Sequence, residues 1–313
     1  MKIIKKLNSL MLIAVILCTF FIGCGNTNTT MNNNKEIVFI PQNFDDAGYW
    51  DDLSNKLQKE IEGNGYSYKK MGADDWDSEK QSAILKQAID ENPFAIVLSP
   101  VSLDVANLFD GIKKANDKNI PIILIDTDID RQLLDSDNAE VLTYIGIDNY
   151  EAGKEIADKI SQSLDKNSEV AILDGSMDSF NGTIRSNGFE DEINEKGMNV
   201  VARVSTSWSS EEGYTNTKLL LEAYPDTKAI FAVNNTVYEG VYKAIEESGK
   251  TIKTATFDCN DLTDEALKNG TLICTYDQSG ENAAKTLVDV LRKVEKGEKI
   301  DDVTISKGEL ISK

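Results

Sequence analysis

From Glu36 onward, short runs that are apolar at almost every position alternate with longer stretches whose apolar residues recur every three or four positions. This alternation constrains the fold more than any other feature. The short runs cover residues 37–40, 95–98, 120–125, 169–173, 200–204, 229–233, 254–257 and 272–275. Between them, stretches such as 50–62, 79–89, 150–164, 211–223, 236–247 and 282–294 read as amphipathic helices. A strand that is apolar on both faces must be covered on both. Crossover helices supply that cover, so parallel sheets are expected. So many units exceed one compact sheet. The expected class is α/β, with two Rossmann-like doubly wound lobes; a closed eightfold β/α barrel is the competitor.

The polar residues are informative by position. Several apolar runs end in a polar or acidic residue: Ser99, Asp126, Asp174, Asn234, Asp258 and Asp277. In open α/β sheets the carboxyl ends of the strands line the ligand crevice. Carboxylates there accept hydrogen bonds and amides both donate and accept, which suits hydroxyl groups. Asp148 and Asp261 read as helix caps. Recurrence at strand ends favours a ligand role for Asp126, Asn234 and Asp258.

Composition narrows the chemistry. The chain has no histidine, which excludes Ser-His-Asp and Cys-His nucleophile systems and His-ligated metals. With 33 basic and 53 acidic residues its net charge is −20, a surface that repels nucleic-acid phosphate and anionic lipid.

The first 35 residues read as an address and a tether. Lys2, Lys5 and Lys6 precede an apolar run over 10–22 that only Thr19 interrupts, the pattern of a secretory signal too short for a comfortable membrane span. Phe21-Ile22-Gly23-Cys24 resembles a bacterial lipobox, which implies a signal peptide over 1–23 and lipidation of Cys24. Phe21 departs from the usual leucine. Residues 24–35, rich in Asn and Thr, suit a flexible tether. Three of the basic residues and none of the acids lie in 1–23, so the mature chain carries −23. Cys259 and Cys274 are expected as free thiols, buried or half-buried.

Six motifs in order carry a family resemblance over everything after the tether. They are Ile40-Pro41-Gln42-Asn43 with Gly48-Tyr49-Trp50; the 120–126 run ending in Asp126; and Ile145-Gly146-Ile147-Asp148-Asn149 with Gly153. The others are Arg185-Ser186-Asn187-Gly188-Phe189, the 229–235 run with Gly240, and Thr256-Phe257-Asp258. Together they resemble the ribose-binding type of periplasmic sugar-binding protein, the solute receptor of a bacterial ABC importer. The resemblance implies two lobes joined by three chain crossings, with residues 36–147 and 278–300 in one and 148–277 and 301–313 in the other. It also implies closure of the lobes around a sugar.

The implied ligand residues are Asp46, Tyr49, Trp50, Asp126, Thr127, Arg185, Trp208, Asn234, Asp258 and Asp277. A one-residue shift would put Gln278 in the place of Asp277. Tyr49 or Trp50 from one lobe and Trp208 from the other would stack on the apolar faces of the ring. Arg185, one of only four arginines, would hold the ring oxygen and neighbouring hydroxyls. Thr127 stands where the ribose pattern has Arg. That makes the site poorer in donors, suited to a neutral, hydroxyl-rich ligand, and ribose itself becomes doubtful. The calcium loop of the glucose/galactose type is missing from 164–168, and Arg131 replaces the glycine an EF-hand needs after 126–130.

The expectation is therefore a monomeric, lipid-anchored receptor on the extracytoplasmic face of the cell membrane. Its partners would be a monosaccharide and an ABC permease. No enzymatic activity, cofactor, metal or nucleic acid is expected. A sensory receptor for a sugar-like signal of the autoinducer type is the alternative. A repressor on the same fold would need a helix-turn-helix where the signal peptide stands. Asn181-Gly182-Thr183 matches a glycosylation motif, which a bacterial lipobox contradicts.

Overall fold

Alternate residues of the central strands face opposite cores, which is why those strands are apolar throughout. In β1 (Glu36–Ile40), Val38 and Ile40 enter one cluster while Ile37 and Phe39 enter another. The computed structural model describes residues 35–44, 48–73, 76–101, 106–176 and 179–313. The signal peptide, most of the tether, Cys24 and Asp46 lie outside the described residues.

The chain continues through α1 (Tyr49–Gly63), β2 (Ser67–Lys70), α2 (Ser78–Asp90), β3 (Ala95–Leu98), α3 (Ala106–Asp117), β4 (Ile122–Ile125), α4 (Arg131–Asp137) and β5 (Thr143–Gly146). It then crosses to α5 (Asn149–Ser161), β6 (Glu169–Asp174), α6 (Phe180–Glu195), β7 (Asn199–Ser205), α7 (Ser210–Ala223), β8 (Thr227–Ala232), α8 (Asn235–Ser248), β9 (Lys253–Phe257), α9 (Asp261–Asn269) and β10 (Leu272–Asp277). It returns in α10 (Gly280–Lys296) and β11 (Val303–Ile305), and ends in β12 (Glu309–Ser312).

Two six-stranded sheets result, ordered β11-β5-β4-β3-β1-β2 and β12-β10-β9-β8-β6-β7. All described pairings are parallel except β10 with β12. The two orders are the same pattern repeated, and two separate sheets exclude the closed barrel. Each sheet is covered on both faces: the first by α2 and α3 on one side and α1 and α10 on the other. The second is covered by α5 and α6 on one side and α7, α8 and α9 on the other.

The last crossing differs from the sequence expectation. Residues 301–313 were expected in the second lobe, yet β11 pairs with β5 of the first sheet, Val303 opposite Tyr144. Helix α10 packs on the first sheet, so the chain leaving it meets the free edge of β5 before it crosses. Only β12 joins the second sheet. The three crossings run at Ile147–Asp148, Gln278–Ser279 and 306–308, and Ser306 N donates to the Gly146 carbonyl at 2.9 Å.

Caps fix where the helices start. Asp148 caps α5 through Glu151 N, as expected. Asp261 does not cap α9. Asn260 does, in a reciprocal pair with Thr263, and Asp261 is the first helical residue. Both cysteines are free, Cys274 buried in β10 but Cys259 exposed rather than half-buried. No helix among the described residues is long and apolar enough to cross a membrane.

Two glycines set the seat of α6. A Cβ on Gly153 would lie 2.0 Å from the Arg185 carbonyl, and one on Gly188 would lie 2.1 Å from the Tyr150 carbonyl. Helices α5 and α6 therefore pack backbone against backbone. This explains the glycine in Arg185-Ser186-Asn187-Gly188-Phe189 physically: it lets the helix carrying Arg185 sit against the helix that begins at Asn149.

Candidate functional site

Two aspartates occupy equivalent ends of equivalent strands. Asp126 follows β4 and Asp258 follows β9, with φ of 66° and 64°. Aspartate tolerates this left-handed conformation better than most residues, at a cost on the order of 1 kcal/mol. In both, the amide stays tied to the neighbouring strand: Asp126 N to the Ile145 carbonyl at 3.0 Å and Asp258 N to the Tyr276 carbonyl at 2.9 Å. Each chain turns sharply where its strand ends, at the edge of the cleft.

Asp126 gathers donors from both lobes. Its Oδ1 accepts from the Tyr49 hydroxyl at 2.9 Å, and its Oδ2 from Thr127 Oγ1 at 2.9 Å. Thr127 is itself fixed by Gln42 Nε2 at 2.9 Å. From the opposite lobe, Asn181 Nδ2 donates to Asp126 Oδ2 at 3.1 Å and to its backbone carbonyl at 3.0 Å. Asn181 and Arg185 are four residues apart on α6 and so share a helix face.

Arg185 is 2% exposed and anchors the other side. Its Nε and Nη2 both reach Asn149 Oδ1, at 3.0 and 2.7 Å, and Nη1 donates to the Val233 carbonyl at 3.1 Å. Its guanidinium lies 4.0 Å from the centroid of the Phe257 ring. Gln278, at the second crossing, links Arg185 to Asp258: its Oε1 accepts from Nη2 at 3.3 Å while its Nε2 donates to Asp258 Oδ1 at 2.7 Å.

Burial dominates the electrostatics. It raises Asp258 to about 6, against the opposing pull of Arg185 and the Gln278 hydrogen bond. It raises Asp126 too, countered by its hydrogen bonds from Tyr49 and Thr127 and by the Arg185 charge. Burial lowers Arg185, which Asp258 and Asp126 oppose. The Tyr49 phenol is pushed well above its ordinary range, first by burial and then by Asp126, so it serves as a neutral donor. One guanidinium between two carboxylates, with amides interleaved, is a set that binds hydroxyl groups.

Several sequence-derived residues need correction. Asp277 makes none of the hydrogen bonds of this cluster described above, although its charge acts on Asp258. It ends β10, and its carboxylate accepts from Ser279 N at 2.9 Å, which leaves Gln278 as the residue at the site. Asn234 caps α8 through Val237 N at 2.9 Å, so its carbonyl oxygen is committed to the helix. Of the aromatic pair, Tyr49 reaches Asp126, whereas Trp50 is 4% exposed in the core between α1 and α10. Their rings meet edge to face at 5.0 Å. Trp208, with φ of 61°, lies over Gly175 and Gly182 at the mouth of the second sheet, half-buried. The site is also not poor in donors: Asn149, Asn181 and Gln278 bring buried or half-buried amides that make up for Thr127. Asn149 stood inside a quoted motif. The signal for Asn181 was its spacing from Arg185.

Beneath Asp126 a cavity of about 20 Å³ lies at the hinge, lined by Tyr49, Leu53, Gly146, Ile147, Gln278 and Ser306.

Two doubly wound lobes, three crossings and a polar cleft between strand ends define the class of two-lobed α/β solute-binding proteins. Residues 37–299 match the family model described as "Periplasmic binding protein domain", and the chain belongs to that family, in its ribose-binding type. It is 28% identical over 239 residues to the D-ribose/D-allose-binding protein of Pseudomonas aeruginosa, covering 72% of this chain and 74% of that one. It is 27% identical over 248 residues to the ribose import binding protein of Bacillus subtilis, covering 79% and 78%. Among solved structures, an ABC transporter periplasmic solute-binding protein from Actinobacillus succinogenes with bound D-allose superposes with a TM-score of 0.83. That match is at 22% identity and covers 88% of this chain and 97% of the other.

Proposed function

We propose that this protein is the extracytoplasmic binding component of an ABC importer, which captures a neutral monosaccharide between its lobes and presents it to a permease. It acts as a monomer, makes and breaks no bond, and is held at the membrane by lipid on Cys24. The observation that carries this reading is the polar cluster itself: Asp126 and Tyr49 from one lobe face Asn181 and Arg185 from the other, with Asp258 and Gln278 alongside. Hydroxyls of a ring would bridge groups on both lobes, so a ligand stabilises the closed form over the open one. The names of the relatives, which speak of ribose, allose, apiose and fructose, support a sugar of this kind.

Thermal unfolding against D-ribose, D-allose, D-apiose, D-fructose and D-ribose 5-phosphate tests the reading. At least one neutral sugar is expected to raise the midpoint, since ligand at a hundred times its Kd adds about 2.7 kcal/mol. The phosphate ester is expected to leave it unchanged, because a net-anionic cleft repels it. A panel without effect would refute sugar capture. For the anchor, Cys24→Ser is expected to abolish lipid labelling and leave the precursor unprocessed; normal labelling would refute lipidation at that residue.

A further inference from the structure

We infer that Tyr144 and Thr275 are positioning residues for the two ligand-facing aspartates, each holding its aspartate's peptide carbonyl from the neighbouring strand. The inference rests on the cleft being the ligand site. Tyr144 lies on β5, beside β4, and its hydroxyl donates to the Asp126 carbonyl at 2.9 Å. Thr275 lies on β10, beside β9, and its Oγ1 donates to the Asp258 carbonyl at 2.7 Å. The strands correspond in the two sheet orders, and so do the recipients: both are left-handed aspartates whose amides bond the same neighbour strand.

The two donors have little in common besides the hydroxyl. One is a phenol and the other a small β-branched alcohol, so shared packing does not explain the recurrence. A residue that leaves a strand in the left-handed conformation turns its carbonyl out of the ladder, where it needs another donor. Supplying that donor from the next strand fixes the peptide, and with it the direction of the carboxylate.

Space is reserved for the arrangement. Tyr144 is 6% exposed and Thr275 fully buried. A Cβ on Gly146, two residues after Tyr144, would lie 1.9 Å from the Tyr144 oxygen. In the first lobe the device also bears on closure. The Asp126 carbonyl that Tyr144 holds is the one that Asn181 reaches from the opposite lobe. Tyr144 thus presents an oriented acceptor to the arriving lobe.

Three variants test this: Tyr144→Phe, which removes only the hydroxyl, Thr275→Val, which replaces it with a methyl group, and Thr275→Ser, which keeps it. The protein is titrated with D-ribose by calorimetry. Without ligand, the carboxyl carbons of Asp126 and Asp258 are followed by ¹³C NMR against pH. Tyr144→Phe and Thr275→Val are expected to lose about tenfold or more in affinity, a change of 1.4 kcal/mol. Each is expected to displace the carboxyl resonance and midpoint of its own aspartate only. Thr275→Ser is expected to return both readings to those of the parent. Unchanged resonances in Tyr144→Phe and Thr275→Val would overturn the inference, as would a Thr275→Ser variant that behaves like Thr275→Val. If the parent does not bind D-ribose, ribose capture fails and the ligand-free NMR readings alone decide the positioning role.

Discussion

Arg185→Ala is expected to cost at least about a hundredfold in sugar affinity and to lower stability by about 3 kcal/mol. Both effects follow from one fact: Arg185 is the buried cation facing two carboxylates, Asp126 and Asp258, which burial already pushes toward protonation. Removing one member of a buried charged set leaves the others uncompensated, a loss of about 3–5 kcal/mol in comparable cases. The lower end applies here because the aspartates can take up protons instead. The side-chain oxygen of Asn149, which accepts from Arg185 twice, would also lose both of these donors. Arg185→Lys keeps the charge but not the planar fork, and is expected to recover part of the stability and little of the affinity. Chemical denaturation and calorimetry on the two variants check this. Full affinity in Arg185→Ala would mean that the ligand does not lie against the guanidinium.

The fold was legible because its signal is redundant. Runs such as 37–40 and 95–98 are apolar on both faces, and that alone requires helices on both sides of a parallel sheet. The elements that escaped notice lie where one face is wet or the segment is short. β2 reads Ser67-Tyr68-Lys69-Lys70 at a sheet edge, with no apolar period to find. β11 and β12 are three and four residues long, too short for a pattern, and the wrong lobe was expected for β11 as a result.

The site was legible in part. Asp126, Arg185 and Asp258 stand at strand ends or inside a motif, and the structure brings them together. Asn149 and Asn181 were missed as site residues because a buried amide has no sequence signature of its own. Its role depends on which donors and acceptors surround it, which only packing decides. Asp277 and Gln278 differ by one position, and at the end of a strand one position reverses the direction of the side chain.

Acidification is expected to act on this protein in two opposite directions, and Asp258 is the cause. Burial holds its carboxyl at about 6, above the ordinary value of 3.8. Between about pH 4 and pH 6 the ligand-free folded chain therefore retains a proton that the unfolded chain has released. Folding stability from this group falls as pH rises through that window, by at most about 3 kcal/mol over two units. Asp90, Asp158, Glu247 and Glu295, held low mainly by hydrogen bonds from Lys114, Lys196, Tyr214 and Lys35, work the other way and lose their contribution as pH falls. The Asp258 share is isolated by comparison with Asp258→Asn: the stability of the wild-type protein relative to that variant is expected to rise from pH 6.5 to pH 4. Ligand affinity should move oppositely. Hydroxyls that donate to Asp258 favour its ionised form, so binding expels the proton. Affinity is then expected to fall by up to about tenfold per unit below pH 6 and to level off above it. Calorimetry in buffers of different ionisation enthalpy would register the released proton directly. An affinity that stays flat from pH 7 to pH 5 would mean either that Asp258 is ionised throughout or that the ligand's hydroxyls bond elsewhere. A matching flat stability difference against Asp258→Asn identifies the first case, since an aspartate with an ordinary pKa has no proton to give up in that range.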